Sequence, residues 1–222
     1  MKQIFGSEAI QIQPCQNGFI FVVKQEEHDQ KAVVSYKMMD FERMTIAPIT
    51  RNVYLLEKFG NQFERYEQNP DDFLNVRSLV LPDRRLLVVE PNGMATITGG
   101  DGYRQLQRDL SYQGCVPDHL VLAEDSFFAS YPAAGAVIRY NAATLRQELR
   151  VGGGNRPMPT PEGLYYQNGQ LLICMPTLCK IMELNFDTFE LEEYETFEEP
   201  IHRYLKYNAN EIVLLDSGAY KL

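Results

Sequence analysis

Three carboxylates, Glu57, Glu90 and Asp216, each close a short apolar run in this sequence, with Lys24 at the same point of the first such run. If the runs are strands arranged in a ring, residues at equivalent strand ends meet at one rim. Carboxylates gathered there would suit a hard divalent cation, which prefers oxygen ligands. Such a cation could activate water for hydrolysis. The competing reading is that acids at strand ends are solvated turn residues.

A second set is cationic or titratable. His119 and His202 both begin inner strands of equivalent repeats, 83 residues apart, so both belong on the same rim. With Arg77 and Arg203 they suggest an anion or substrate site. Histidine is suited to proton transfer near neutral pH. Hydrogen bonding to connecting loops is the plainer role, and no H-E-x-x-H spacing is present. Cys174 and Cys179 are spaced C-x4-C with no second pair nearby, which reads as two small residues rather than a zinc or redox site. Gly152-Gly153-Gly154 and Gly99-Gly100-Asp101-Gly102 lack the ending of a phosphate loop and read as tight turns.

The elements that must position these residues form a repeat. Apolar runs start at Gly18, Asn52, Arg85, Ser126, Gly169 and Glu211, so the later starts lie 41, 43 and 42 residues apart and the earlier ones 34 and 33. Periods near forty with several short strands per unit mark a radial β array. In the fourth unit the strands read His119 to Ala123, Ser126 to Tyr131, Ala136 to Tyr140 and Leu145 to Val151. The fifth repeats this order, with an Asn168-Gly169 hairpin turn. Tyr140 to Arg146 echoes Leu184 to Glu190, and Tyr36 to Glu42 more loosely. The acidic run from Glu190 to Glu199 alternates in part with Phe189, Leu191, Tyr194 and Phe197, as in an outer strand with one wet face.

The last repeat lacks an outer strand, and Lys2 to Phe5 can supply it, closing the ring. The expected fold is therefore all-β: a single β-propeller over residues 1–222 with about six small blades of three to four antiparallel strands. The alternative is five blades with an inserted hairpin over 52–68. No 11-residue window holds a capped apolar helical stripe. These units resemble the repeats of YVTN and NHL propellers in their strand–turn–strand rhythm and in turns such as Asn185-Phe186-Asp187-Thr188. The resemblance implies the fold and carries no catalytic residues. The chain has no Trp, so the Trp-Asp signature of WD-type propellers is absent.

The net charge of −9 argues against a general nucleic-acid or anionic-membrane binder, because that binding rests on Lys and Arg. The first fourteen residues lack the apolar stretch of a signal peptide, and four cysteines are too few for a disulfide scaffold, so a cytoplasmic setting is expected. The expected role is a binding or interaction module taking a protein or small-molecule ligand at the rim, with no cofactor required. The alternative is a metal-assisted, lactonase-like hydrolase using a divalent cation on Glu57, Glu90 and Asp216. A third reading buries Tyr103, Tyr112, Tyr165 and Tyr166 in a partner.

Overall fold

The structure, a computed structural model, describes residues 1–15, 18–28, 31–43, 45–67, 76–99 and 104–222. Among these residues the strands form five four-stranded antiparallel sheets, the blades of a propeller. Blade 1 holds β2 (Ala9–Cys15), β3 (Gly18–His28), β4 (Lys31–Asp40) and β5 (Thr45–Ile49). Blade 2 holds β6 (Arg77–Val80), β7 (Leu86–Val89), β8 (Met94–Thr98) and β9 (Arg104–Asp109). Blade 3 holds β10 (His119–Ala123), β11 (Ser126–Tyr131), β12 (Ala136–Asn141) and β13 (Gln147–Gly152). Blade 4 holds β14 (Leu164–Gln167), β15 (Gln170–Met175), β16 (Lys180–Leu184) and β17 (Leu191–Thr196). In blade 5, β18 (Ile201–Tyr207), β19 (Asn210–Leu215) and β20 (Gly218–Lys221) are joined by β1 (Lys2–Phe5). Lys2 faces Lys221 and Gln3 faces Tyr220, so the first residues close the ring as expected.

Each second strand is buried on both faces, because each blade is sandwiched between two others. Phe19 and Phe21 of β3 pack on Ile212 and Leu214 of blade 5, while Ile20 and Val22 pack toward Leu86 and Val88 of blade 2. Burial on both faces makes a strand read as a continuous apolar run rather than an alternation. That is why the second strands dominate the sequence repeat.

The blade count is five, not six, and the insert is helical rather than a hairpin. Asn52 to Leu56, one of the six apolar runs, belongs to helix α1 (Arg51–Phe59). Thr50 caps it, its hydroxyl accepting from the Val53 N–H at 3.3 Å, and Gly60 ends it at a φ of 55°. A short second helix, α2 (Glu64–Glu67), follows. Helix α1 buries Tyr54, Leu55, Lys58 and Phe59 along one side, against β4 and β6. Tyr54 stacks on Tyr36 with centroids 4.6 Å apart, and Phe59 stacks on Tyr66 at 3.9 Å. The helix is thus a wedge in the core between blades 1 and 2. At nine residues it is shorter than the window that failed to find it.

The internal echoes are Asx turns. Asn141 Oδ1 accepts from the N–H groups of Ala143 and Thr144, and Asn185 Oδ1 from those of Asp187 and Thr188. Asp40 accepts likewise from Glu42 and Arg43. The acidic run supplies β17, an outer strand with an exposed face. Gly152, Gly153 and Gly154 all adopt positive φ and turn the chain out of blade 3. The turn assigned to Gly99–Gly102 extends beyond the described residues. No helix among the described residues is long and apolar enough to cross a membrane.

Gly163 governs the approach of blade 4 to blade 5. A Cβ there would lie 2.4 Å from the His202 carbonyl oxygen and 3.0 Å from Arg203 Cα, both backbone atoms of β18. We expect Gly163→Ala to destabilise the fold by about 2 kcal/mol through overpacking. Urea denaturation checks this, and an unchanged midpoint would contradict the close approach.

Candidate functional site

The inner strands all begin at one rim of the channel, and the candidate site is built there. Arg77 opens β6, His119 opens β10, and His202 and Arg203 follow the first residue of β18. Asp118 stands just before β10, and Glu162 stands two residues before β14.

Asp118 joins three blades. Its Oδ1 accepts from Arg77 Nη2 at 3.1 Å, and its Oδ2 from Arg203 Nη2 at 2.8 Å. Arg77 Nε also donates to the Asp118 backbone carbonyl. The Asp118 N–H is anchored on the Ser130 carbonyl at 2.9 Å. Burial alone would raise the Asp118 pKa, but the charges of Arg203 and Arg77 outweigh it and hold the carboxyl below its usual range. Arg203 Nη1 donates to the His202 carbonyl at 2.7 Å and lies 3.8 Å from Glu162 Oε2.

The two histidines have opposite characters. His119 Nδ1 accepts the Leu164 N–H at 3.0 Å, which fixes the proton of the neutral ring on Nε2 and clips blade 3 to blade 4. Burial first, then the Arg203 charge, lowers its pKa to about 3. His202 is held between two carboxylates, with Nδ1 2.8 Å from Glu162 Oε2 and Nε2 2.7 Å from Asp216 Oδ1. The Glu162 hydrogen bond, helped by Asp216, raises its pKa against the opposing effect of burial. A base whose folded pKa is raised stabilises the fold fully below its unfolded pKa, near 6.5, and loses that contribution as pH rises through the folded value. We therefore expect His202→Gln to cost about 1 kcal/mol at mildly acidic pH, with the deficit shrinking as pH rises above 6.5. Chemical denaturation at several pH values checks this, and a pH-independent deficit would contradict it.

Two cavities open on this network. One, of about 360 Å³, is lined by Gln11, Lys58, Arg77, Asp118, His119 and Arg203, among others. The second, of about 490 Å³, is lined by Gln11, Arg77, Glu162, His202, Arg203 and Asp216, among others. Arg77, Arg203 and Gln11 belong to both, so the arginines stand where the cavities meet. Lys58 comes from the helical wedge. Its Nζ donates to the Tyr54 hydroxyl at 3.4 Å, and that hydroxyl donates to Gln11 Oε1 at 3.1 Å. Burial, then the nearby Arg77 charge, lowers the Lys58 pKa to about 7.

Among the residues singled out in the sequence, His119, His202, Arg77, Arg203 and Asp216 are brought together. Lys24 pairs across to Val34 within blade 1, its N–H donating to the Glu8 carbonyl, and is outside the described lining of both cavities. The three acids proposed as metal ligands do not form a cluster. Glu57 sits on α1 rather than at a strand end and lines the smaller cavity. Glu90 accepts from the Tyr66 hydroxyl at 3.4 Å, and Asp216 is engaged by His202. Among the described residues no group of three His, Cys, Asp or Glu side chains is placed to hold a metal ion. Of the tyrosines assigned to a partner, Tyr112 packs edge-on to Tyr131 and Tyr165 edge-on to Tyr204, while Tyr103 is outside the described residues. All four cysteines are free, and burial pushes the Cys174 thiol up to about 12.

Sequence reasoning missed Asp118, Glu162, Lys58 and Gln11. A signal for the two acids was present. Asp118, Glu162 and His202 each stand eight positions ahead of the first residue of the second strand of their own blade, Ser126, Gln170 and Asn210. A repeat alignment would have stacked them in one column.

No family model matches the sequence, and no curated protein matches it. Solved structures do match in shape. A streptogramin B lyase structure superposes with a TM-score of 0.55 at 12% identity, covering 97% of this chain and 64% of that one. Virginiamycin B lyase from Staphylococcus aureus gives 0.53 at 12% identity, covering 100% of this chain and 86% of that one. The WD40 propeller domain of Doa1 gives 0.55 at 11% identity, covering 96% and 62%. The chain thus spans less than two thirds of the streptogramin B lyase and Doa1 chains. At these identities the similarity shows the propeller fold alone.

Proposed function

We propose that this propeller is a binding module that takes a small anionic ligand at the channel entrance, in the reducing setting of the cytoplasm. The observation that carries the reading is the concentration of donors in the smaller cavity. Arg77 and Arg203, with side chains only 24% and 16% exposed, both engage the carboxylate of Asp118. Lys58 and His119 line the same cavity. Donors fixed by the fold bind an anion with little reorganisation, and partial burial strengthens charge-assisted hydrogen bonds. A cavity of about 360 Å³ fits a compact ligand. The acidic surface, at a net charge of −9, disfavours large polyanions while leaving this cationic recess for a small one.

Calorimetric titration with malonate, citrate and inorganic phosphate tests the reading, with neutral malonamide as the control. We expect saturable binding of at least one anion in the micromolar to millimolar range, weakened by salt, and none of malonamide. Absence of binding by all three anions would overturn it.

A further inference from the structure

We infer that Lys58 captures the carbonyl carbon of a small anionic aldehyde or 2-oxo acid as an imine, held in the cavity by Arg77 and Arg203. This rests on the anion-binding reading and adds a covalent step to it.

Helix α1 carries Lys58 into the cavity wall, where the residue is 9% exposed. Its Nζ lies 5.7 Å from the Tyr54 ring centroid and 5.5 Å from that of Phe59. The ammonium form is disfavoured there twice, by burial and by the Arg77 charge that lines the same cavity. A desolvated lysine beside a second cation is the arrangement that frees an amine lone pair near neutral pH. A carboxylate on the incoming molecule would engage the guanidinium groups and leave its carbonyl within the same small space. The amine attacks the carbonyl carbon and a C–N bond forms. Both amine protons leave with the carbonyl oxygen as water, giving the C=N bond with no change of oxidation state. No further reactant is needed.

The test is reductive trapping. The intact protein is incubated at pH 7 with glyoxylate and sodium cyanoborohydride, then digested and mapped by mass spectrometry. Carboxymethylation at Lys58 is expected to run at least about tenfold faster than at any other lysine, because a larger fraction of its amine is free at that pH. Malonate should slow it, and the preference should vanish in urea. Lys58 left unmodified, or modified no faster than the other lysines, would overturn the inference. If malonate binds by calorimetry while Lys58 is not trapped, the covalent step fails and the binding reading stands. If Lys58 is not trapped and malonate, citrate and phosphate all fail to bind, both fail.

Discussion

Replacing Asp118 by Ala is expected to destabilise the protein by about 3 kcal/mol at pH 7, because it removes the carboxylate that two partly buried guanidinium groups share. The effect should exceed that of an exposed ion pair such as Lys180 with Glu193, where exposure and screening leave little net energy. Its pH dependence follows from the depressed pKa of Asp118. A carboxyl whose folded pKa is lowered stabilises the fold above its unfolded value, near 4, and loses that contribution as pH falls through the folded value. Wild type and Asp118→Ala should therefore converge in stability under strongly acidic conditions. Urea titrations at neutral and acidic pH check both points. A difference below about 0.5 kcal/mol at pH 7 would mean that the network does not join the blades energetically.

Replacing Lys58 by Met should do the reverse and stabilise the fold at pH 7. The Lys58 pKa falls from 10.5 to about 7 on folding. Between these values the unfolded chain holds more protons than the folded one, so wild-type stability rises with pH across that window. At pH 7 the penalty is about 4 kcal/mol, at 1.36 kcal/mol per pKa unit. Met fills a similar volume without a charge, and the Tyr54 hydroxyl keeps Gln11 as its acceptor. The gain should shrink toward pH 10 and disappear near 10.5. A variant less stable than wild type at pH 7 would show that the amine is retained in charged form. A residue that burdens stability in the wall of a cavity is what a functional site shows when local rules yield to chemistry.

Much of the fold was legible because the second strands are buried on both faces and stand out as apolar runs. The Asn141 and Asn185 turns and the closing strand at Lys2–Phe5 were readable for related reasons: each depends on local residue types or on a missing partner. The helical wedge was not. Asn52 to Leu56 is an apolar run like the others, and only the Thr50 cap and Gly60 stop distinguish it. That single element changed the blade count from six to five and moved Glu57 away from a strand end. The site was legible on its cationic side, since Arg77, His119, His202 and Arg203 could be placed from strand starts. Two of the acids that pair with them were hidden, because Asp118 and Glu162 stand outside the strands, where a strand-based reading does not look. Lys58 was hidden with its helix.

The central claim, that the channel entrance is an anion site, is met most directly by a crystal structure of the protein with malonate at a concentration just sufficient to saturate it in solution. We predict malonate in the smaller cavity, with carboxylate oxygens in hydrogen-bond reach of Arg77 and Arg203 and close to His119 and Lys58. Malonate bound only on the outer faces of the blades, with the entrance holding water alone, would contradict the account.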